Sequence, residues 1–506
     1  MTLADFQKTP WQASHRLYKE SSLSISPAPE YASSEVLVAS LYRAIGFDGV
    51  TEGGVPQAGR DLDRDIQRLR DKPSVRQGTT AGADTWNTVL HGILESPKLP
   101  NQSSRRFLQV TPLVPGTALF SGSARLTPNS WPAGSLVRRM ICLGSPDREA
   151  AEQLWDELFS ALAVGQGDDI FARWLEAETH AWIPGQTWKK IPLPANEANP
   201  LPMADLDNIP FLPARQFAKD LRAIIKAKDA MTRRQWTSLL EAVVRLAGVA
   251  HAIWLCDVQA RISRCLFDAL GSSGPVGEAA VRGAIFPASA QYMAYGGKAL
   301  PALKDKVSSY LGARLGINTI LWSLEEAGIP YSGDISSSAG IAALCQHVRE
   351  HGAALSGTRQ AIHDIREREA RALNCKKGIG ANMLEFARHV LGKRQAASPL
   401  LRGYDQGYVL DKRGTSASSP WVVSLGPVAV LALVHCALAG VAGARSIHRL
   451  GQQLAAYGIA IDRHEIAASD LGHQLRMLGL VLDSPDAESG MLLLPPFPST
   501  QPGNNK

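Results

Sequence analysis

A mainly α-helical chain folded in several domains is what the sequence predicts, and three observations carry that prediction. Apolar residues recur at helical spacing over long stretches, above all from 214 to 391. Glycine and proline interrupt the pattern where helices should stop, at Gly271, Gly328-Ile-Pro330, Gly352 and Gly392. Of 506 residues 45% are hydrophobic and 20% charged, which suits about two to four buried cores and excludes a disordered chain.

Residues 1–183 read as a small mixed α/β domain. Helices are expected over 35–45 and 148–162, and strands over 106–110, 118–121 and 137–143, with proline and glycine turns between them. Seven prolines between 184 and 213 remove backbone donors and forbid regular helix, so that segment reads as a linker. An all-helical domain follows over 214–398. Residues 399–497 read as a hairpin and a small terminal module, and 498–506 as a disordered tail.

The terminal module is the most legible part. Val428, Leu431, Val434 and His435 mark a first, nearly buried helix that ends before Gly440 and Gly443. Ser446 can cap a second helix with the stripe Ile447, Leu450, Leu454 and Tyr457, which Gly458 ends in a left-handed turn. Ser469 or Asp470 can cap a third, with Leu471, Leu475 and Leu478 facing inward, His473, Gln474 and Arg476 outward, and Gly479 closing it. Apolar runs at 480–482 and 491–494 flank an acidic turn and complete the order of a C-terminal winged helix. On duplex DNA its third helix would enter the major groove and its wing would follow phosphate. Asp483, Asp486 and Glu488 make this wing acidic where a phosphate contact needs Lys or Arg, so docking on a protein is the better reading.

The net charge of +6 is unevenly spread. Residues 215–265 hold ten Lys or Arg against four acids, and 359–413 hold twelve against six, while the rest of the chain sums to −6. The basic surface is therefore expected on the central helices. Thr232-Arg233-Arg234-Gln235 matches a capping box, with Arg233 and Arg234 in a first turn whose dipole disfavours cations. Phosphate at the helix start could compensate them, and solvation or pairing with an acid is the plainer alternative. A helix near 381–391 carries Arg388, Lys393 and Arg394 at its end. Lys376 and Lys377 before it, and Lys412 and Arg413 at the expected hairpin tip, extend the strip. With Arg476 of the third terminal helix, these residues are the expected DNA-binding set.

No catalytic signature stands out. Cys345-x-His347-x-x-x-His351 holds zinc-ligand residue types on one helix, but the stripe Ile341, Leu344, Cys345 and Val348 turns the thiol to the core. No fourth ligand follows, so neither metal nor cofactor is expected. Gly296-Gly297-Lys298 lacks the flanking residues of a phosphate loop, and pairs such as Asp168-Asp169 read as solvated helix faces. Six scattered cysteines without a CxxC pair suit buried thiols in a reducing cytosol. Residues 1–18 show no secretion signal, and the uncharged stretch 421–444, broken by Gly426-Pro427, reads as a buried helix rather than a membrane span. A cytoplasmic location without a membrane partner is expected.

The stretches Arg402-Gly-Tyr-Asp-Gln-Gly-Tyr-Val-Leu410, Trp421-Val-Val-Ser-Leu-Gly-Pro427 and Leu478-Gly-Leu-Val-Leu-Asp-Ser-Pro485 resemble accessory subunits of bacterial anti-phage defence islands that end in a winged helix. The resemblance is confined to the C-terminal region. It implies a subunit acting beside a nuclease, ATPase or methyltransferase and transfers no catalytic residues. The functional expectation is a non-catalytic DNA-engaging or scaffolding subunit of a bacterial multi-protein complex, with double-stranded DNA and other subunits of a defence complex as partners. A metal-dependent hydrolase using His347 and His351, and a pure protein adaptor, are the alternatives.

Overall fold

The computed structural model describes residues 2–25, 28–29, 34–50, 68, 71–72, 82–89, 94, 110–120, 130–131, 133–182, 186–195, 200–287, 291–394, 403–416, 418–441, 443–462, 464–483 and 491–497. Helices make up most of it, and the described strands are two or three residues long. The chain is mainly α, as its periodicity predicts.

The N-terminal layer contains α1 (Ser34–Gly46), α2 (Ala133–Gly144), α3 (Arg148–Leu162) and α4 (Ile170–Trp182). The helices expected over 35–45 and 148–162 form, but the strand expected over 137–143 does not. Its residues belong to α2, where Leu136, Val137, Met140 and Ile141 are buried at helical spacing and Arg138 and Arg139 are half-buried. Two glycines let α2 approach its neighbours: a Cβ on Gly134 would lie 2.2 Å from the Ser40 carbonyl oxygen, and one on Gly144 2.1 Å from that of Ala214. Tertiary packing thus overrides a β-prone run. In place of a strand at 118–121, Pro115–Phe120 forms a buried 3-10 turn started by Thr117, whose Oγ1 donates to the Val114 carbonyl at 2.7 Å. Val110 forms only an isolated bridge, and 106–109 and 121 lie outside the described residues. Apart from that bridge, the β structure among the described residues of this region is one parallel pair, Ala28 with Ser130 and Pro29 with Trp131.

The proline-rich segment is a packed strap. The Lys189 and Ile191 amides donate to the Gly46 and Ile45 carbonyls at 2.9 and 2.8 Å, and the Trp155 indole of α3 donates to the Ile191 carbonyl at 2.8 Å. Proline holds the backbone extended, and between the prolines Leu193, Leu201, Leu206, Ile209 and Leu212 are buried. Asp205, in the short helix Met203–Leu206, accepts from Arg282 Nε at 3.0 Å and the Ser338 amide at 2.9 Å.

Beyond the strap come α5 (Pro213–Lys226), α6 (Arg233–Ala269), α7 (Ala299–Glu326), α8 (Ser338–Glu350), α9 (Thr358–Arg368) and α10 (Ile379–Leu391). The capping box opens α6 as its sequence predicts: the Gln235 amide donates to Thr232 Oγ1 at 3.4 Å and the Thr232 amide to Gln235 Oε1 at 3.0 Å. Apolar and small side chains surround α6 on all sides, so it runs through the core, packed on α7, α5 and α1. Among the described residues α6 is long and apolar enough to cross a membrane, yet 94% of its most apolar window is buried inside the fold.

The C-terminal part begins with the antiparallel hairpin β1 (Leu410–Lys412) and β2 (Trp421–Val423), in register Leu410 with Val423. Next come α11 (Pro427–Ala437), β3 (Arg445–Ser446), α12 (His448–Ala456), the two-residue strand Ile459–Ala460 that pairs in parallel with Met293–Ala294, α13 (Asp470–Met477), β4 (Val481–Asp483) and β5 (Met491–Leu493), with β5 in the middle of a three-stranded sheet between β3 and β4. Ser469 caps α13 by accepting from the Gly472 amide at 3.4 Å, Gly458 takes the expected left-handed φ of +79°, and Gly479, which follows α13, is also left-handed at +66°. Three details differ from expectation. Ser446 lies in β3, and α12 starts after Ile447 with no side-chain cap. The strand β3 carries no apolar signature, and Leu478, beyond the end of α13, is 39% exposed while Leu480 takes the buried place. Because α11 packs on α5 and α6, one apolar cluster runs continuously from Leu17 to Leu493 across the expected linker and domain boundaries.

Candidate nucleic-acid interface

The geometry of the ten expected cations begins with Arg233, which is 3% exposed. Its guanidinium donates to the carbonyls at the C-terminus of α3, to Ala161 and Ala163 at 3.0 Å and to Leu162, and further to Leu113 O and Tyr42 Oη at 2.9 Å. Asp168 accepts from it at 3.3 Å, and Lys228 reaches the same carboxylate at 3.1 Å. Burial disfavours the Asp168 anion, yet the Gly165 amide and the Arg233 and Lys228 cations hold its carboxyl below the usual range. The anion at the start of α6 is also internal, since the Arg233 amide donates to Asp169 Oδ2 at 2.9 Å. Arg233 is therefore a buried clamp rather than a phosphate contact, and Asp168 and Asp169 are its partners rather than a solvated face.

Arg394 is corrected in the same way. It is 6% exposed, with a guanidinium that donates to the His389 carbonyl at 2.8 Å and an amide that donates to Asp405 at 2.9 Å. Four others are exposed or half-buried but engaged. Arg234 lies over the Tyr404 ring and donates to its hydroxyl at 3.1 Å. Arg388 pairs with Glu385, and Lys393 sits 3.8 Å from Asp411 and above the Tyr408 ring. On α13, Arg476 forks onto Asp483 of β4 at 3.0 to 3.2 Å and caps the Ala467 carbonyl at 2.9 Å. Arg413 is 63% exposed and only 3.8 Å from Asp470. Lys412 is half-buried, and Lys376 and Lys377 stand exposed with no ion pair among the described residues. The structure does not gather these side chains into one unopposed basic strip.

The zinc-type residues on α8 divide as their stripe predicts: Cys345 is 2% exposed, its thiol pushed up to about 12 by burial, while His347 and His351 lie at the margin. The sequence reading passed over Glu350 beside them and the exposed apolar edge at Met477, Leu478 and Leu482. Glu350 shares the helix end with both histidines, a spacing signal that was readable. The apolar edge depends on where α13 stops. Comparison with family models, curated proteins and solved structures finds no match to the chain.

Arg233→Ala is expected to destabilise the fold by about 3–5 kcal/mol, because it strands buried carbonyls and weakens the compensation of Asp168. Urea unfolding of the variant checks this. An arginine reserved for phosphate would leave stability within about 0.5 kcal/mol.

Proposed function

We propose that this chain is a non-catalytic scaffolding subunit of a bacterial cytoplasmic multi-protein complex, and that its C-terminal module is a winged helix that docks on another protein. Three helices with a three-stranded sheet whose last strand is central support the winged-helix assignment, although the two-residue strand Ile459–Ala460 between the second and third helices pairs outside the module with Met293–Ala294. The carrying observation is the surface of α13 and β4. Arg476 is held by Asp483, whereas Met477, Leu478 and Leu482 are 74%, 39% and 52% exposed. A neutralised cation and exposed apolar side chains on the same two elements suit a protein interface better than a phosphate backbone. The resemblance to accessory subunits of anti-phage defence islands points to the same kind of role.

A photo-crosslinking side chain placed at position 482 of the full-length protein in its native host tests the reading. The expected result is one discrete protein adduct, lost on Met477→Asp with Leu478→Asp and not formed from a crosslinker at position 377. In parallel, a salt series on a DNA duplex should show no binding that depends on Arg476. The reading fails if position 482 yields no adduct, or if Arg476→Glu abolishes duplex binding.

A further inference from the structure

The end of α8 brings together three side chains with metal-ligand chemistry that the docking reading does not use. His347, Glu350 and His351 each offer one ligand atom, and these atoms lie within 4.8 Å of one another. The two imidazole rings are 4.5 Å apart between centroids. Their nitrogens are already sorted by the backbone: His347 Nε2 faces the Ile329 carbonyl oxygen at 3.0 Å, and His351 Nδ1 faces the His347 carbonyl oxygen at 2.9 Å. A carbonyl only accepts, so each of those nitrogens is the N–H donor of its ring. The lone pairs are left on His347 Nδ1 and His351 Nε2. Donation of the second ring N–H to a carbonyl is the support that orients metal-binding histidines. Glu350 takes the Gln346 amide on Oε1 at 2.8 Å, which leaves Oε2 available. Arg349 turns away and donates to the Gly274 and Pro275 carbonyls at 3.1 and 3.2 Å.

We propose that His347, Glu350 and His351 form a three-ligand site for a divalent ion of the zinc class. Two imidazoles and a carboxylate are borderline-soft nitrogen and oxygen donors, which favour zinc and its late first-row neighbours over calcium or magnesium. Ligand atoms around a tetrahedral zinc stand roughly 3.3 Å apart at bond lengths of about 2.0–2.1 Å, so small side-chain rotations bring the group onto an ion. The fourth position is left to water or to a partner's side chain. Cys345 takes no part, because its thiol is buried in the core as part of the apolar stripe of the helix.

The test uses the full-length protein, stripped with a chelator and titrated with Co²⁺ by visible absorption and with Zn²⁺ against a chromophoric chelator. One equivalent is expected to bind with the intense d–d bands of four-coordinate cobalt. His347→Ala, His351→Ala and Glu350→Gln should each weaken binding by about tenfold or more. His464→Ala, at the separate His448–His464 contact, should leave it unchanged. His347→Gln keeps a donor for the Ile329 carbonyl, so its thermal melt without metal should match the wild type while metal affinity falls. A dissociation constant weaker than about 100 µM for zinc, or binding that survives both histidine substitutions, overturns the proposal.

Discussion

Replacing Asp405 with alanine is expected to destabilise the fold by about 3–5 kcal/mol, because it leaves a buried guanidinium without its main counter-charge. Arg245 sits in the middle of α6, and neither its side chain nor that of Asp405 has any exposed surface. The pair is bidentate, Nη1 to Oδ1 at 2.7 Å and Nη2 to Oδ2 at 3.2 Å. Arg245 also donates from Nε to the Val390 carbonyl at 2.6 Å and from Nη2 to the Gly392 carbonyl at 3.1 Å, which fastens the end of α10. Burial opposes the Arg245 charge, and the Asp405 carboxylate more than offsets it, so the guanidinium stays firmly protonated. Without Asp405, the acids that still favour the charge are Glu241 at 3.4 Å, which is partly solvated, and Glu35. The double variant Arg245→Met with Asp405→Leu removes both charges and should be more stable than Asp405→Ala, its remaining cost being the Val390 and Gly392 carbonyls and the Arg394 amide left without these partners. Urea unfolding of the two variants separates the cost of an orphaned charge from that of lost packing. A loss below about 1 kcal/mol in Asp405→Ala would sink the argument.

The same pair shows where sequence reasoning stops. Residue patterns told where helices begin and end because the responsible groups are neighbours in the chain: Thr232 with Gln235, Ser469 with Gly472, and Gly458 and Gly479 at helix ends. They did not tell where the arginines go. Arg233 meets Asp168 and Tyr42 at separations of 65 and 191 residues, and Arg245 meets Asp405 at 160, so a count of charges along 215–265 and 359–413 treated core clamps as surface. The prolines of the strap were visible, but the burial of the leucines between them depends on α1 and α3. Strand β3 is two residues long and includes an arginine, so no alternation could reveal it. In α2 the β-prone residues were legible and misleading, because Gly134 and Gly144 admit the neighbouring backbone only once the tertiary fold exists. At the end of α8 the reverse holds: the histidine spacing was readable, while the carbonyls that fix each ring's tautomer come from folded geometry.

Asp220→Asn is expected to flatten the pH dependence of stability between about pH 4 and pH 7 and to make the fold more stable than wild type above that window. Asp220 on α5 is 1% exposed and accepts from Gln216 Nε2 at 2.8 Å, Tyr457 Oη at 2.6 Å and the Gln453 amide. Burial is the dominant influence and pushes its carboxyl up to about 7, although the three donors favour the anion. An unfolded aspartate titrates near about 3.9, so between that pH and about 7 the folded state binds more protons than the unfolded state. Stability from this group is therefore complete below about pH 4, declines as the pH rises to about 7, and is level beyond, with an upper limit on the order of 4 kcal/mol. Asparagine carries no charge at any of these pH values. It should lose the slope, at the cost of about 1 kcal/mol of hydrogen-bond mismatch where the wild-type acid is already neutral. Asp220→Ala strands Gln216, Gln453 and Tyr457 and should be less stable than Asp220→Asn throughout. Urea midpoints at pH 5 and pH 8 decide the matter: equal slopes in wild type and Asp220→Asn would refute the assignment. Gln453 and Tyr457 lie in and just after α12, so the same proton sets how firmly the terminal module is tied to α5. Amide exchange over 448–457 should therefore quicken from pH 5 to pH 8 more in the wild type than in Asp220→Asn.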